Sequence, residues 1–198
     1  SEMHMDKAWL PLFPLKSVLF PCGPLKLRIF EPRYLAMISS CLRENSGFGV
    51  LLITDGEEAG NSETVATGTI AKIVDWDQGR DCLLGITAEG QQKFRLNSSE
   101  KRADGLYIGK VQEISDEPNI PVPDKYAHLV NILKEVLDTL DVPIYKNILK
   151  KYDNAAWVGH RLSEIMPLNL ANKQSSLAMD DPLERLKFLA TMFAIKNK

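Results

Sequence analysis

The side chains that could carry chemistry are few and scattered in this chain of 198 residues. Cys22 sits in the turn Phe20-Pro21-Cys22-Gly23-Pro24, with Lys26 and Arg28 close behind it. Nearby cations lower a thiol's pKa and favour the nucleophilic thiolate. Nucleophilic catalysis also needs a positioned base, and no histidine stands near in sequence. Cys22 therefore reads as a small turn-filling residue, and Cys41 and Cys82 as small apolar ones. His4, His128 and His160 are isolated and no CxxC occurs, so the pattern predicts no metal site. His128 and His160 read as surface or interface residues rather than bases. The Gly109-Lys110 pair is followed by Val111 inside a strand pattern, which is not a phosphate loop. The acidic stretch 55–63 lacks the spacing of a calcium loop and reads as a solvated loop. No catalytic residue and no cofactor is assigned.

Composition sets wider bounds. Apolar residues make up 44% and charged residues 25%, with a formal net charge of −2, which gives no strong pull toward nucleic acid or anionic membrane. Residues 1–118 carry 13 basic and 17 acidic side chains, residues 119–198 carry 11 and 9, so the strand-rich part is the acidic one. That argues against a nucleic-acid-binding barrel. Three widely spaced cysteines make no disulfide framework and fit a reducing cytoplasm. Ser1 to Met5 does not read as a secretory signal, and no window approaches a membrane span.

The elements that position these residues begin at Leu10. Apolar residues at 10, 12, 13 and 15 are interrupted by Pro11 and Pro14, which predicts an edge strand or extended lead-in. Leu25, Leu27 and Ile29 alternate with Lys26 and Arg28 as a half-buried strand. Pro32 suits a first helical position, and Tyr34, Met37, Ile38, Cys41 and Leu42 then lie on one helical face. Glu31 and Arg33 read as charge-assisted ties from this turn to neighbouring strands. Strands follow at 48–54, 64–76, 82–87, 92–96 and 106–114, with Ala88-Glu89-Gly90 as a turn and 97–105 as a loop. The proline-rich 115–124 is the boundary, beyond which the apolar period approaches 3.6. A long helix capped by Asp124, a short one after Pro143 with Ile144, Ile148, Leu149 and Tyr152 inward, and helices capped by Asn154, Asn169 and Asp181 make a bundle.

Two strings carry a family resemblance. LPLFPL-x-x-VLFP-x-G-x-L-x-L-x-IFEPRY-x-x-M from Leu10, and MPL, KQ and D-x-x-ERL between Met166 and Leu189, resemble the two ends of the Lon N-terminal domain in its small stand-alone form. Cys22 departs from the family pattern, where a small residue, commonly glycine, is expected. The resemblance implies an α+β fold: a PUA-like small β-barrel with one inserted helix over 1–118, then an α-helical bundle over 119–198. It also implies a non-catalytic module that recognises unfolded or extended polypeptides, in protein quality control or as an adaptor. The ATPase and Ser-Lys protease parts of Lon proteases have no counterpart in this chain. Candidate contacts are Leu12, Phe13, Leu15 and Phe20, with Trp157 and Met166 in the bundle; Glu31, Pro32, Arg33 and Tyr34 form a structural motif. The competing expectations are an excised front domain of a full ATP-dependent Lon-type protease, a PUA-like RNA-binding module, and an enzyme using Cys22.

Overall fold

The computed structural model describes residues 8–53 and 66–196. Ser1–Met5, the acidic stretch 55–63 and Lys198 lie outside the described residues. The chain divides into two compact units, residues 1–115 and 116–198.

The first unit holds β1 (Ala8–Leu15), β2 (Pro24–Ile29), α1 (Pro32–Glu44), β3 (Phe48–Leu52), β4 (Thr67–Gln78), β5 (Leu84–Lys101) and β6 (Tyr107–Glu113). They form one six-stranded sheet in the order β2-β5-β4-β3-β1-β6, with β5 also paired to β6. Pairing therefore runs β5-β4-β3-β1-β6 and returns to β5, leaving β2 attached outside this ring to β5 alone.

This corrects the expectation for residues 10–15, which form an interior strand rather than an edge. Ala8–Pro11 pairs antiparallel with β6, and Leu12–Leu15 pairs parallel with β3. Each half of β1 is bonded on one side only, so Pro11 and Pro14 fit without a missing ladder donor. Leu12 packs with Leu51, Phe94 and Val111, while Phe13 faces the other way into a larger cluster under α1. Both faces of the half of β1 paired with β3 are thus buried, as parallel pairing favours.

A second correction concerns β5. No turn occurs at Ala88-Glu89-Gly90, and Asn97–Lys101 continues the strand. Gly90 is instead where the 20–23 turn docks: Cys22 N donates to Gly90 O (2.8 Å) and Gly90 N donates to Gly23 O (2.8 Å). A Cβ on Gly90 would lie 2.1 Å from the Phe20 carbonyl oxygen. The glycine marks close backbone approach, a strand signal as readily as a turn signal. Thr69 Oγ1 donates to Leu19 O (2.7 Å), holding the same segment to β4.

Tyr34, Met37, Ile38 and Cys41 of α1 are buried, whereas Leu42, expected on that face, is exposed. The Tyr34 ring stacks on Phe13 at 4.0 Å and 5°. Arg33 donates to Gly105 O (3.0 Å) and to Glu31 Oε1 (3.1 Å), so it joins the start of α1 to the β5–β6 turn.

The second unit contains a 3-10 turn (Asp124–Tyr126) followed by α2 (Ala127–Thr139), α3 (Pro143–Lys146), α4 (Ala155–Ile165), α5 (Leu170–Ala178) and α6 (Pro182–Lys196). Asn154 Oδ1 accepts from Trp157 N and Asn169 Oδ1 from Asn172 N, so both cap helices. Asp124 makes no such cap, because a 3-10 turn intervenes before α2. Leu149, expected inward, is 76% exposed: α3 stops after four residues and its face is not continued.

Cys22 has φ 64°, a left-handed conformation that an L residue adopts at a cost and glycine adopts freely. Cys22→Gly should raise stability by about 1 kcal/mol in urea titration. Gly90→Ala should lower it by about 3 kcal/mol, because the Phe20 backbone must move. A neutral Gly90→Ala would show that this docking contributes nothing.

Candidate functional site

Four of the six apolar residues expected to contact a polypeptide are buried: Leu12, Phe13 and Phe20 in the first unit and Trp157 in the second. Leu15 and Met166 are half-buried. Phe13 is occupied by Tyr34, and Trp157 packs among Tyr126, Leu129, Leu162 and Leu186 with Tyr152 edge-on at 5.5 Å. These side chains fill cores, and the accessible apolar surface is made by others.

One such surface lies where the α1 cluster of the first unit is left open. Ile29, Phe30, Leu35, Trp76, Gln78, Cys82, Leu83 and Leu84 line a hollow of about 280 Å³. Ile29 is buried, Leu35 and Leu84 are half-buried, and Phe30 and Trp76 are 66% and 58% exposed. The register explains the grouping. Leu27, Ile86 and Trp76 form one row across β2, β5 and β4, and Ile29, Leu84 and Gln78 form the next. The first residues of each row enter the core, while Trp76 overhangs it near the hairpin. The hairpin 79–83 is braced by an Arg28–Asp81 ion pair, by Gly79 N donating to Leu83 O (3.0 Å), and by Cys82 N donating to Gly79 O (2.9 Å). Cys82 also has φ 64°. The hollow offers aromatic walls and one amide side chain, a composition suited to holding an apolar group rather than to bond-making. Alternation in the sequence marked Trp76 only as a strand residue. Its exposure at the hairpin end was the signal, and it depends on where the strand stops.

A second cluster, in the helical unit, has the chemical groups of an active site without the access. Arg161, Arg185 and His160 are all buried, correcting the expectation of a surface histidine at 160. Arg185 donates through Nη1 and Nη2 to both Glu117 oxygens (2.6 and 2.8 Å), through Nε to Ser176 O (2.9 Å), and to Met179 O. Its stem passes Gly159, where a Cβ would be 2.9 Å from Arg185 Cδ. His160 Nε2 lies 3.5 Å from Glu117 Oε2. Glu164 accepts from Tyr145 Oη (2.8 Å) and from Arg161 Nε and Nη2 (3.2 Å each), and its carbonyl accepts from Lys173 Nζ (2.7 Å). Ser163 Oγ donates to Gly159 O (2.8 Å), so Ser176 is the donor in their 2.6 Å contact.

Burial would raise the Glu117 carboxyl, but hydrogen bonds from His160 and Arg185 and the charge of Arg185 outweigh it and hold the group well below the carboxylate range. Burial, reinforced by Arg185 and Arg161 against Glu117, pushes His160 down to about 3. Folded His160 is therefore neutral between about 3 and its ordinary 6.5, where the unfolded chain takes a proton. Stability then falls as pH drops through that window, and Glu117 adds a further loss below its ordinary 4.5. Between pH 7 and pH 5 the His160 share amounts to about 2 kcal/mol. His160→Gln should flatten that part of the pH profile in urea denaturation; an unchanged slope would remove His160 from the account. Arg185→Met should cost about 3 kcal/mol or more, because Glu117 is left buried without its cation.

Residues 9–193 match the family model described as the ATP-dependent protease La (LON) substrate-binding domain. A LON peptidase N-terminal domain and RING finger protein of Schizosaccharomyces pombe is 24% identical over 222 residues, covering 93% of this chain and 45% of that protein. The Lon protease of Erwinia amylovora is 23% identical over 197 residues, covering 94% of this chain and 25% of that protein. The chain thus spans less than half the length of these relatives. The crystal structure of a Lon N-terminal domain protein from Xanthomonas campestris superposes with a TM-score of 0.79 at 36% identity, covering 93% of this chain and 98% of that one. Matched along almost its whole length in sequence and in fold, the chain belongs to the Lon substrate-binding domain family.

Proposed function

We propose that this chain is a non-catalytic recognition module that binds unfolded or extended polypeptide segments, as an adaptor or in protein quality control in the cytoplasm. The observation that carries the reading is the open end of the α1 cluster, where Phe30 and Trp76 stand exposed around a hollow whose floor is core. Exposed aromatic side chains over a preformed apolar hollow are what an apolar side chain of a flexible chain can enter. The buried Phe13 belongs to the α1 cluster that floors the hollow, with the half-buried Leu15 packed against it as a secondary contact, while Leu12 and Phe20 are buried elsewhere in the same unit and Trp157 and Met166 belong to the core of the helical unit. The ring of strands is the small PUA-like barrel of the family, and the helices 116–198 its bundle. The motif Glu31-Pro32-Arg33-Tyr34 serves structurally, fixing where α1 starts and hence where Phe30 points.

The described residues contain no cluster of three or more metal-ligating side chains and no helix long and apolar enough to cross a membrane. The cluster of Glu117, His160, Arg161, Glu164 and Arg185 is held within the helical unit by its own hydrogen bonds and ion pairs.

Fluorescence anisotropy with a labelled, permanently unfolded reporter protein tests the reading. Phe30→Ser and Trp76→Ser should each weaken binding about tenfold, the loss of one buried aromatic contact, with thermal melts unchanged. Absence of binding by the parent chain, or turnover of the reporter, would refute it.

A further inference from the structure

β2 ends the strand order, and among the described residues it pairs with β5 alone. Its free edge can accept another strand. Leu25, Leu27 and Ile29 belong to the α1 cluster, while Lys26 and Arg28 are exposed on the opposite face. Along that face Arg28 is followed across the ladder by Gly85 and Asp77, and Lys26 by Thr87 and Asp75. The cations therefore stand on the edge strand, and the acids lie two strands inward, about 10 Å away. Asp75 accepts from the Trp76 amide (2.8 Å), and Arg28 is engaged by Asp81. Among the described residues Lys26 has no ion-pair partner.

We propose that this edge takes one extended polypeptide strand in which acidic side chains alternate with apolar ones. The apolar side chain that reaches the end of β2 enters the hollow behind Phe30 and Trp76. The inference rests on the polypeptide-binding reading and names the class of segment. Residues directly opposite in a ladder point to the same face, and opposite charges there attract while like charges repel. Acidic residues facing Lys26 and Arg28 complete the charged face. Apolar residues facing Leu25, Leu27 and Ile29 extend the buried one. Ile29, which closes β2, and Phe30, which follows it, are also the near wall of the hollow, so edge and hollow are continuous. The same rule disfavours a second copy of this chain: antiparallel pairing of two β2 strands about Lys26 or Leu27 sets Lys26 against Lys26 or Arg28.

The test uses three labelled peptides of about eight residues, a strand's length, with the full chain. One alternates Glu and Leu and ends in Trp; one has Lys for Glu; one has the first composition with its acids in a block. The alternating acidic peptide should bind about tenfold tighter than either other, and the margin should shrink in high salt. Lys26→Glu should shift the preference toward the Lys peptide, a gain that misfolding could not produce. Equal affinity for the three peptides, or an order unchanged by Lys26→Glu, would overturn the proposal. If the unfolded reporter still binds in that case, the broader reading survives; if neither binds, both fall. A dimer that the acidic peptide dissociates would likewise overturn it, by assigning the edge to a second copy.

Discussion

Strand β5 is hydrogen-bonded to three other strands, and the first unit depends on that sharing. Its first half lies between β2 and β4, and its second half between β4 and β6. A strand can serve this many neighbours only if it is long, and β5 runs 18 residues without a break. Register shifts at Leu96/Ser98, and on β4 at Thr69/Ala71 and Ile73/Asp75, let it bend as it passes from one partner to the next. Because β6 and β1 complete the ring, β2 is the one strand that has a single partner strand among the described residues. The presence of a free edge and its position next to the hollow share this one cause.

The helical unit solves a different problem. Two arginines are buried there beside a neutral histidine, and burying a charge costs several kcal/mol unless it is paired. Arg185 meets the cost by spreading four hydrogen bonds over one carboxylate and two carbonyls, so it ties residue 117, the end of α5 and α6 into one packed arrangement. Such a network needs every member present at once. It specifies a single packing of short helices, none of which is long enough to be stable alone.

Much of this was legible in the residues. Alternation at Leu25–Ile29 announced β2, and the α1 spacing announced its buried face, except at Leu42, which sits at the margin of the stripe. Asn154 and Asn169 declared two helix starts, since a short polar side chain there has the N–H groups of the next turn within reach. The departure at Cys22 pointed to a position whose φ is positive. The strings at the two chain ends declared the family, with ERL containing the arginine about which the helical unit is built.

What local pattern left open was decided by partners distant in sequence. Prolines at 11 and 14 signal an edge only if both sides of a strand are bonded along its full length, and β1 divides its two sides between β3 and β6. Gly90 signals a turn until the Phe20 carbonyl is found against it. His160, Arg161 and Arg185 look like surface charges until Glu117 and Glu164 are brought beside them. Sequence alone determined the elements, because helical and strand periodicity and capping act within a few residues. Only the tertiary structure decided which edge is free and which aromatics stand exposed, because pairing and burial are set by chain segments that meet across tens of residues.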